Sequence, residues 1–332
     1  MRKSFIKNVL RSFIAVEIAL LTGCQGGSEP EKAGSGADAG GRKVVVCTTT
    51  MIADLARQLA GDDLQVVGIM KTGTDPHIYD PTPDDKIWFR KADLVLVNGL
   101  HLEGKMIDMI EGAGGKAIEL AVHDDIKIRE SSTSAGAPDP HVWWNVAYFK
   151  VFAEQVRDEF KKIDTDNAAA YDQRATAYLA QLDALHTAVK AGIATIPASA
   201  RYMITSHDAF YYYGEAYGLE VDAVLGISTD AQANAGDQDR LARLCSERKI
   251  PAIFHETSVS AAQNELVDGI QRLAKEKYQH DLKVAGPLYS DSLGEPGTEA
   301  ETYIGSIEAN TRMIVESLGG TFSLAMTGSG VN

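Results

Sequence analysis

Three histidines and one aspartate stand where short polar or proline-containing stretches leave apolar runs: His77, His141, His207 and Asp291. The segment Lys71-Thr-Gly-Thr-Asp-Pro-His-Ile-Tyr-Asp-Pro-Thr-Pro83 holds glycine, three prolines and one histidine, with neither a helical nor a strand period. Pro76 fixes its own φ and biases Asp75 towards extended backbone, so the imidazole of His77 leaves a stiff loop in a restricted direction. The tripeptide recurs as Asp139-Pro-His141, again ahead of a helical pattern, and His207 follows the run Tyr202-Met-Ile-Thr205. Asp291, in Leu288-Tyr-Ser-Asp-Ser-Leu-Gly294, supplies a carboxylate and completes a candidate set of four. Imidazole nitrogens with one carboxylate suit a borderline divalent cation, zinc first and manganese or iron behind. The chemistry is metal binding, with ligands contributed one at a time by distant loops.

The elements that must position these groups alternate between short β runs and helices. Lys43–Cys47, Leu64–Gly68, Asp93–Asn98 and Lys116–Leu120 are continuous apolar runs, as expected of parallel strands covered on both faces. Helical segments fall at Met51–Leu59, Asp84–Lys91 and Leu102–Gly112. A polar loop, Val122–Ala137, leads to His141 and to a helix over Asn145–Lys162. Asp166 is placed to cap the next helix, in which Tyr171, Ala175, Tyr178, Leu182, Leu185 and Val189 recur at spacings of three and four. At 1.5 Å per residue this makes a rod of roughly 45 Å, a length suited to linking two domains. The α/β pattern then restarts, with strands near 201–205, 219–225, 251–254 and 282–285 and helices near 208–217, 237–248, 261–275 and 302–318. The expected fold class is α/β: two similar lobes with mainly parallel sheets flanked by helices, joined by one long rigid α-helix. The boundaries are an N-terminal lobe at 42–165, a linking helix at 166–196, a C-terminal lobe at 197–320 and a loose tail at 321–332, the looseness beginning near Gly319. All four candidate ligands sit after strands or at helix starts, where doubly wound sheets place ligand crevices, at the carboxyl ends of strands.

A chain of 332 residues with 45% apolar and 23% charged residues is globular and long enough for two domains. Its formal charge of −14 argues against nucleic acid as a partner. Residues 1–24 read as a targeting segment, with Arg2, Lys3, Lys7 and Arg11 before an apolar core that ends in Leu21-Thr-Gly-Cys24. This end resembles a bacterial lipobox, which implies lipidation of Cys24 and a protein exported and lipid-anchored to a membrane, periplasmic or on the cell surface. Residues 25–41 are a Gly- and Ser-containing flexible tether, with a mean reach on the order of 20–25 Å. Cys47 and Cys245 are expected as buried free thiols.

Five motifs in order, Asp75-Pro-His-Ile-Tyr79, Asn98-Gly-Leu-His-Leu-Glu103, Asp139-Pro-His-Val-Trp143, Thr205-Ser-His-Asp-Ala-Phe210 and Leu288-Tyr-Ser-Asp-Ser-Leu-Gly294, carry a resemblance. The chain, from about residue 43 to 318, resembles the solute-binding lipoproteins of zinc and manganese ABC importers, periplasmic solute-binding protein family 9, cluster A-I. The resemblance implies His77 and His141 as ligands from the first lobe, His207 and Asp291 as ligands from the second, and a long helix that limits opening. It also implies capture of a divalent ion outside the cytoplasm, delivery to a membrane permease driven by an ATPase, and no enzymatic activity. His207, where manganese-preferring relatives often carry a carboxylate, favours zinc. The lack of a histidine-rich loop in Val122–Ala137 points the other way, and zinc is preferred over manganese, with iron last. Nothing suggests more than a monomer.

His101 shares a family motif but is expected to be structural and hydrogen-bonded. His123, His186 and His280 read as bystanders, His255 as an outer partner of the site or as nothing, and Trp143 and Trp144 as packing at the lobe interface. The alternative of a different class is an exported zinc-dependent hydrolase. It lacks a His-Glu-x-x-His motif, and four protein ligands would close the coordination position a catalytic water needs. A surface adhesin is compatible with a lipid anchor as a second role.

Overall fold

Four parallel strands form the first sheet, in the order β2-β1-β3-β4: β1 (Val44–Cys47), β2 (Gln65–Gly68), β3 (Leu94–Val97) and β4 (Ala117–Glu119). In register, Val45 lies between Val66 and Leu94, and Val95 lies beside Ala117. The computed structural model describes residues 41–130, 136–230 and 235–323. The targeting segment with Cys24, nearly all of the tether, and the end of the tail lie outside the described residues.

Helices cover both faces of this sheet. α1 (Thr50–Ala60) starts at Thr49, whose hydroxyl accepts from the Ile52 N–H. α2 (Pro83–Lys91) carries a capping box between Thr82 and Asp85 with proline in its first turn, which fixes where the His77 loop ends. The helix expected from Leu102 divides into a 3-10 turn, Gly104–Met106, and a short α3 (Ile107–Ala113). α4 (Val146–Ile163) begins at Asn145, whose side-chain oxygen accepts from the Ala147 N–H.

α5 (Ala168–Ala194) is the long helix, about 40 Å at 1.5 Å per residue. Asp166 does not cap it. A 3-10 turn over Thr165–Asn167 intervenes, and the polar anchor is Asp164, whose Oδ2 accepts from Asn167 Nδ2 at 2.8 Å and from the Tyr171 hydroxyl at 2.6 Å. The stripe predicted from the spacing, Tyr171, Ala175, Tyr178, Leu182, Leu185 and Val189, is buried along its whole length. It packs on α4 and α1 from the first half of the chain and on α6 (Tyr211–Tyr217) and α9 (Tyr303–Ser317) from the second.

In the second half, β5 (Tyr202–Thr205) pairs in parallel with β6 (Glu220–Ala223), and β7 (Ala252–Glu256) with β8 (Lys283–Leu288). β5 lies beside β7, so the two strand pairs line up as β6-β5-β7-β8, the order of winding seen in the first sheet, although the hydrogen-bonded ladders remain two separate pairs. α7 (Ala235–Arg248) and α8 (Ala261–Tyr278) pack together on this half. The larger apolar core runs from Val45 through the α5 stripe to Val315 and is shared by both halves, while a smaller cluster that includes Val46, Phe89, Val95 and Val97 belongs to the first half alone. The start of the tail is not loose: Thr321 N donates to Thr195 Oγ1 at 2.8 Å, and Phe322 packs near Gly192 at the end of α5. Cys47 and Cys245 are buried free thiols, as expected.

Candidate metal centre

His77 sits in the loop between β2 and α2, with Pro76 buried beneath it. Asp75 braces the loop. Its Oδ1 accepts from the His77 backbone N–H at 2.9 Å, and its Oδ2 accepts from Thr229 Oγ1, in the other half of the chain, at 2.7 Å. The second Asp-Pro-His does more. Asp139 Oδ1 accepts from the backbone N–H of His141 at 3.1 Å and lies 2.8 Å from its ring Nδ1. His207 follows β5, and its Nδ1 lies 2.6 Å from Glu256 Oε2 at the end of β7. Asp291 follows β8, and its N–H donates to Ser258 Oγ at 3.1 Å. His77, His207 and Asp291 lie in loops that follow strands, His141 stands at the start of the turn that leads into α4, and a neighbouring polar group fixes the turn that carries each.

The four side chains meet. One ligand atom from each of His77, His141, His207 and Asp291 lies within 4.8 Å of all the others, with His77 partly exposed and the other three buried. His77 Nε2 is 3.1 Å from His141 Nε2, Asp291 Oδ1 is 3.5 Å from His141 Nε2, and Asp291 Oδ2 is 3.2 Å from His207 Nε2. With Nδ1–H of His141 and of His207 donated to carboxylates, the Nε2 lone pairs turn towards one point. His207 Nε2, for all its closeness to Asp291, makes no aligned hydrogen bond, and neither does Asp291 Oδ1. Buried polar atoms left this way are costly unless a further group engages them. A cation bound by four N and O donors would satisfy them together.

The electrostatics agree. Burial pulls the His77 imidazole down to about 3, against the opposing pull of Asp291, so it is neutral and able to donate a lone pair. Burial also disfavours charge on His207, but Asp291 and Glu256 on either side outweigh it and hold its pKa well above the ordinary value. Burial likewise opposes ionisation of Asp291, yet the charge on His207 beside it outweighs burial and keeps it ionised far below the usual carboxylate range. Without a cation, the proton on His207 balances the buried carboxylates. A divalent ion would take over that charge.

The sequence reading missed the groups that aim the candidate ligands. Asp139 stands inside a quoted motif only as a loop residue, and Glu256 is given no part in the site. A carboxylate two residues before a histidine was the available signal for Asp139; nothing local joins Glu256 to a histidine 49 positions away. His255 is no outer partner of the site, because its Nε2 pairs with Asp268 at 2.9 Å. His101 stays out of the cluster as expected, but it is exposed at φ +65° on the rim of a cavity of about 300 Å³. His186 meets the Tyr217 hydroxyl, His280 the Ile250 carbonyl and exposed His123 the Asp125 carboxylate. Trp143 and Trp144 do serve the lobe interface: both indole N–H groups donate to the carbonyl of Ser290, at 3.3 and 2.8 Å.

Comparison with known proteins gives concordant matches. The family model for the periplasmic zinc-uptake complex component A, ZnuA, matches residues 45–317. The zinc-binding protein TroA of Treponema pallidum is 37% identical over 284 residues, covering 85% of this chain and 91% of that protein. The manganese-binding lipoprotein MntA of Bacillus subtilis is 36% identical over 302 residues, covering 90% and 95%. The solved structure of the periplasmic zinc-binding protein TroA superposes with a TM-score of 0.78 at 34% identity, covering 84% of this chain and 99% of that one.

Proposed function

Because the chain belongs to the family of the periplasmic zinc-uptake complex component A, we propose that it is the solute-binding component of an ABC metal importer that carries zinc between its lobes. The observation that carries this reading is the convergence of His77, His141, His207 and Asp291 within 4.8 Å, with two of their buried atoms lacking hydrogen bonds. These four are the proposed ligands, two from each lobe. Three imidazoles and one carboxylate favour zinc over manganese by ligand softness and by the Irving–Williams order. The ion is captured outside the cytoplasm and passed to a membrane permease powered by an ATPase, with the chain held to the membrane by lipid on Cys24 and acting as a monomer.

Release requires the ligand set to be pulled apart, and a set divided between two lobes provides the means: separating them removes His207 and Asp291 from His77 and His141 together. A hydrolytic role fits poorly, since four protein donors leave a tetrahedral ion no position for an attacking water. No described helix is long and apolar enough to cross a membrane.

The test is metal content and competition. The chain is purified without added metal, analysed by elemental mass spectrometry and titrated with zinc against manganese. One equivalent of zinc that manganese does not displace is expected. Preferential, exchangeable manganese would reverse the cargo, as the likeness to the manganese-binding relative allows. Binding of neither ion would overturn the site.

A further inference from the structure

Arg129 lies between β4 and the His141 loop, and its guanidinium touches carboxylates beside proposed ligands of both lobes. One edge, Nη1, is 3.2 Å from Asp139 Oδ2, and the other, Nη2, is 2.7 Å from Asp208 Oδ2. Its face covers the Tyr211 ring at 3.9 Å from the centroid. The backbone is tied as well: Arg129 N–H donates to the Tyr212 hydroxyl at 2.8 Å, that hydroxyl donates to the Asp139 carbonyl at 3.0 Å, and Asp139 N–H donates to the Arg129 carbonyl at 2.9 Å. Asp139 divides its carboxylate, Oδ1 to the His141 ring and Oδ2 to Arg129, so the plane that orients His141 is set from both sides. Asp208 is the residue after His207, on the loop that carries it.

We propose that Arg129 is a positioning residue that latches the two lobes across the metal centre and sets how fast the cargo ion leaves. The inference rests on the reading of His141 and His207 as ligands. Separating the lobes must part Arg129 from Asp208 or from Asp139, and Asp139 is wholly buried and would be left without its cation. Charge-assisted, two-edged contacts of this kind are among the stronger hydrogen bonds, and a planar fork is needed to make both at once. A lysine keeps the charge but not the fork, and engages one aspartate at a time. The latch therefore acts on opening, which governs release, more than on capture by an already open cleft.

The experiment is stopped-flow transfer of zinc from the full chain to a chelator, for the natural protein and for R129Q, R129K, D208N and the R129Q/D208N double variant. Each form is also melted without metal. The expected result is unchanged stoichiometry and association rate, with release from R129Q faster by about tenfold to a hundredfold, the usual size of effects from residues that orient metal ligands. R129K is also fast, D208N is fast, and the double variant is no faster than R129Q alone, because both changes break one contact. A residue that only supported the fold would lower the metal-free melting temperature and leave release untouched. Release from R129Q or R129K at the natural rate, or effects of R129Q and D208N that multiply, would overturn the latch. Failure of the natural protein to bind zinc would instead overturn the reading beneath it.

Discussion

Glu256 holds His207 at two points: Oε1 accepts from its backbone N–H at 2.8 Å, and Oε2 lies 2.6 Å from its ring Nδ1. The carboxylate fixes both the turn after β5 and the ring tautomer that presents Nε2 to the centre. Glu256→Gln keeps the shape but loses the charge and presents an amide to one of those two contacts. Zinc affinity is expected to fall about tenfold to a hundredfold with stoichiometry intact, measured by competition against a chromogenic chelator. Unchanged affinity would remove Glu256 from the site's working parts.

Protons should leave as the ion arrives. His207, with its pKa held well above the ordinary 6.5, carries a proton at neutral pH that a bound cation must displace, whereas His77, at about 3, carries none. Calorimetric titration at pH 7 in buffers of different ionisation enthalpy should report release of at least about one proton per ion from His207. Heats that do not vary with buffer would contradict this.

The same shifts give the metal-free protein a defined pH profile. The raised pKa of His207 contributes stability that is fully present below 6.5 and is lost as pH rises through its folded value. The depressed pKa of His77 works oppositely: its contribution is present above 6.5 and is lost as pH falls towards about 3. Thermal melts should decline on the acid side through that window and again on the alkaline side. With zinc bound, the alkaline loss should vanish, since the ion replaces the proton.

Trp143 offers an internal reporter, with its ring centroid 5.2 Å from that of His141. Zinc binding should change tryptophan emission, and the change should survive Trp88→Phe but disappear in Trp143→Phe. Its persistence in the latter would mean that the signal comes from Trp144, stacked on Phe210, or from lobe movement.

Leu182→Ala tests the linking helix apart from the site. Leu182 is fully buried on the α5 stripe, and the cavity left should cost about 2–5 kcal/mol in denaturant unfolding while zinc stoichiometry stays the same. Loss of stoichiometry in the folded variant would give α5 a more direct part in shaping the site.

The sequence carried well the four residues that converge, because each stands on a stiff loop or just beyond a strand or ahead of a helix, and the α5 stripe because its spacing is strictly helical over many turns. Polar partners that meet only in three dimensions were less legible. Asp164 displaced Asp166 as the anchor at the start of α5 because the turn before the helix is 3-10, which reorients the carboxylates, and residue type does not reveal that. Arg129 lay in a stretch read only as a polar loop, since its two aspartates are 10 and 79 positions away. His101 was expected to be bonded within the fold, but three successive left-handed residues, Gly99, Leu100 and His101, turn the backbone there, and its side chain is exposed.

The core shared between the halves has a consequence for the life of the protein. Because the larger apolar cluster is continuous from Val45 to Val315, with only a smaller one confined to the first half, unfolding either half exposes the interior of the other and the two should unfold together. An ion held at the seam then lends its binding free energy to every residue rather than to four, by simple mass action on the folded state. Resistance to proteolysis should track the supply of cargo, so that a starved population of this carrier turns over faster than a loaded one.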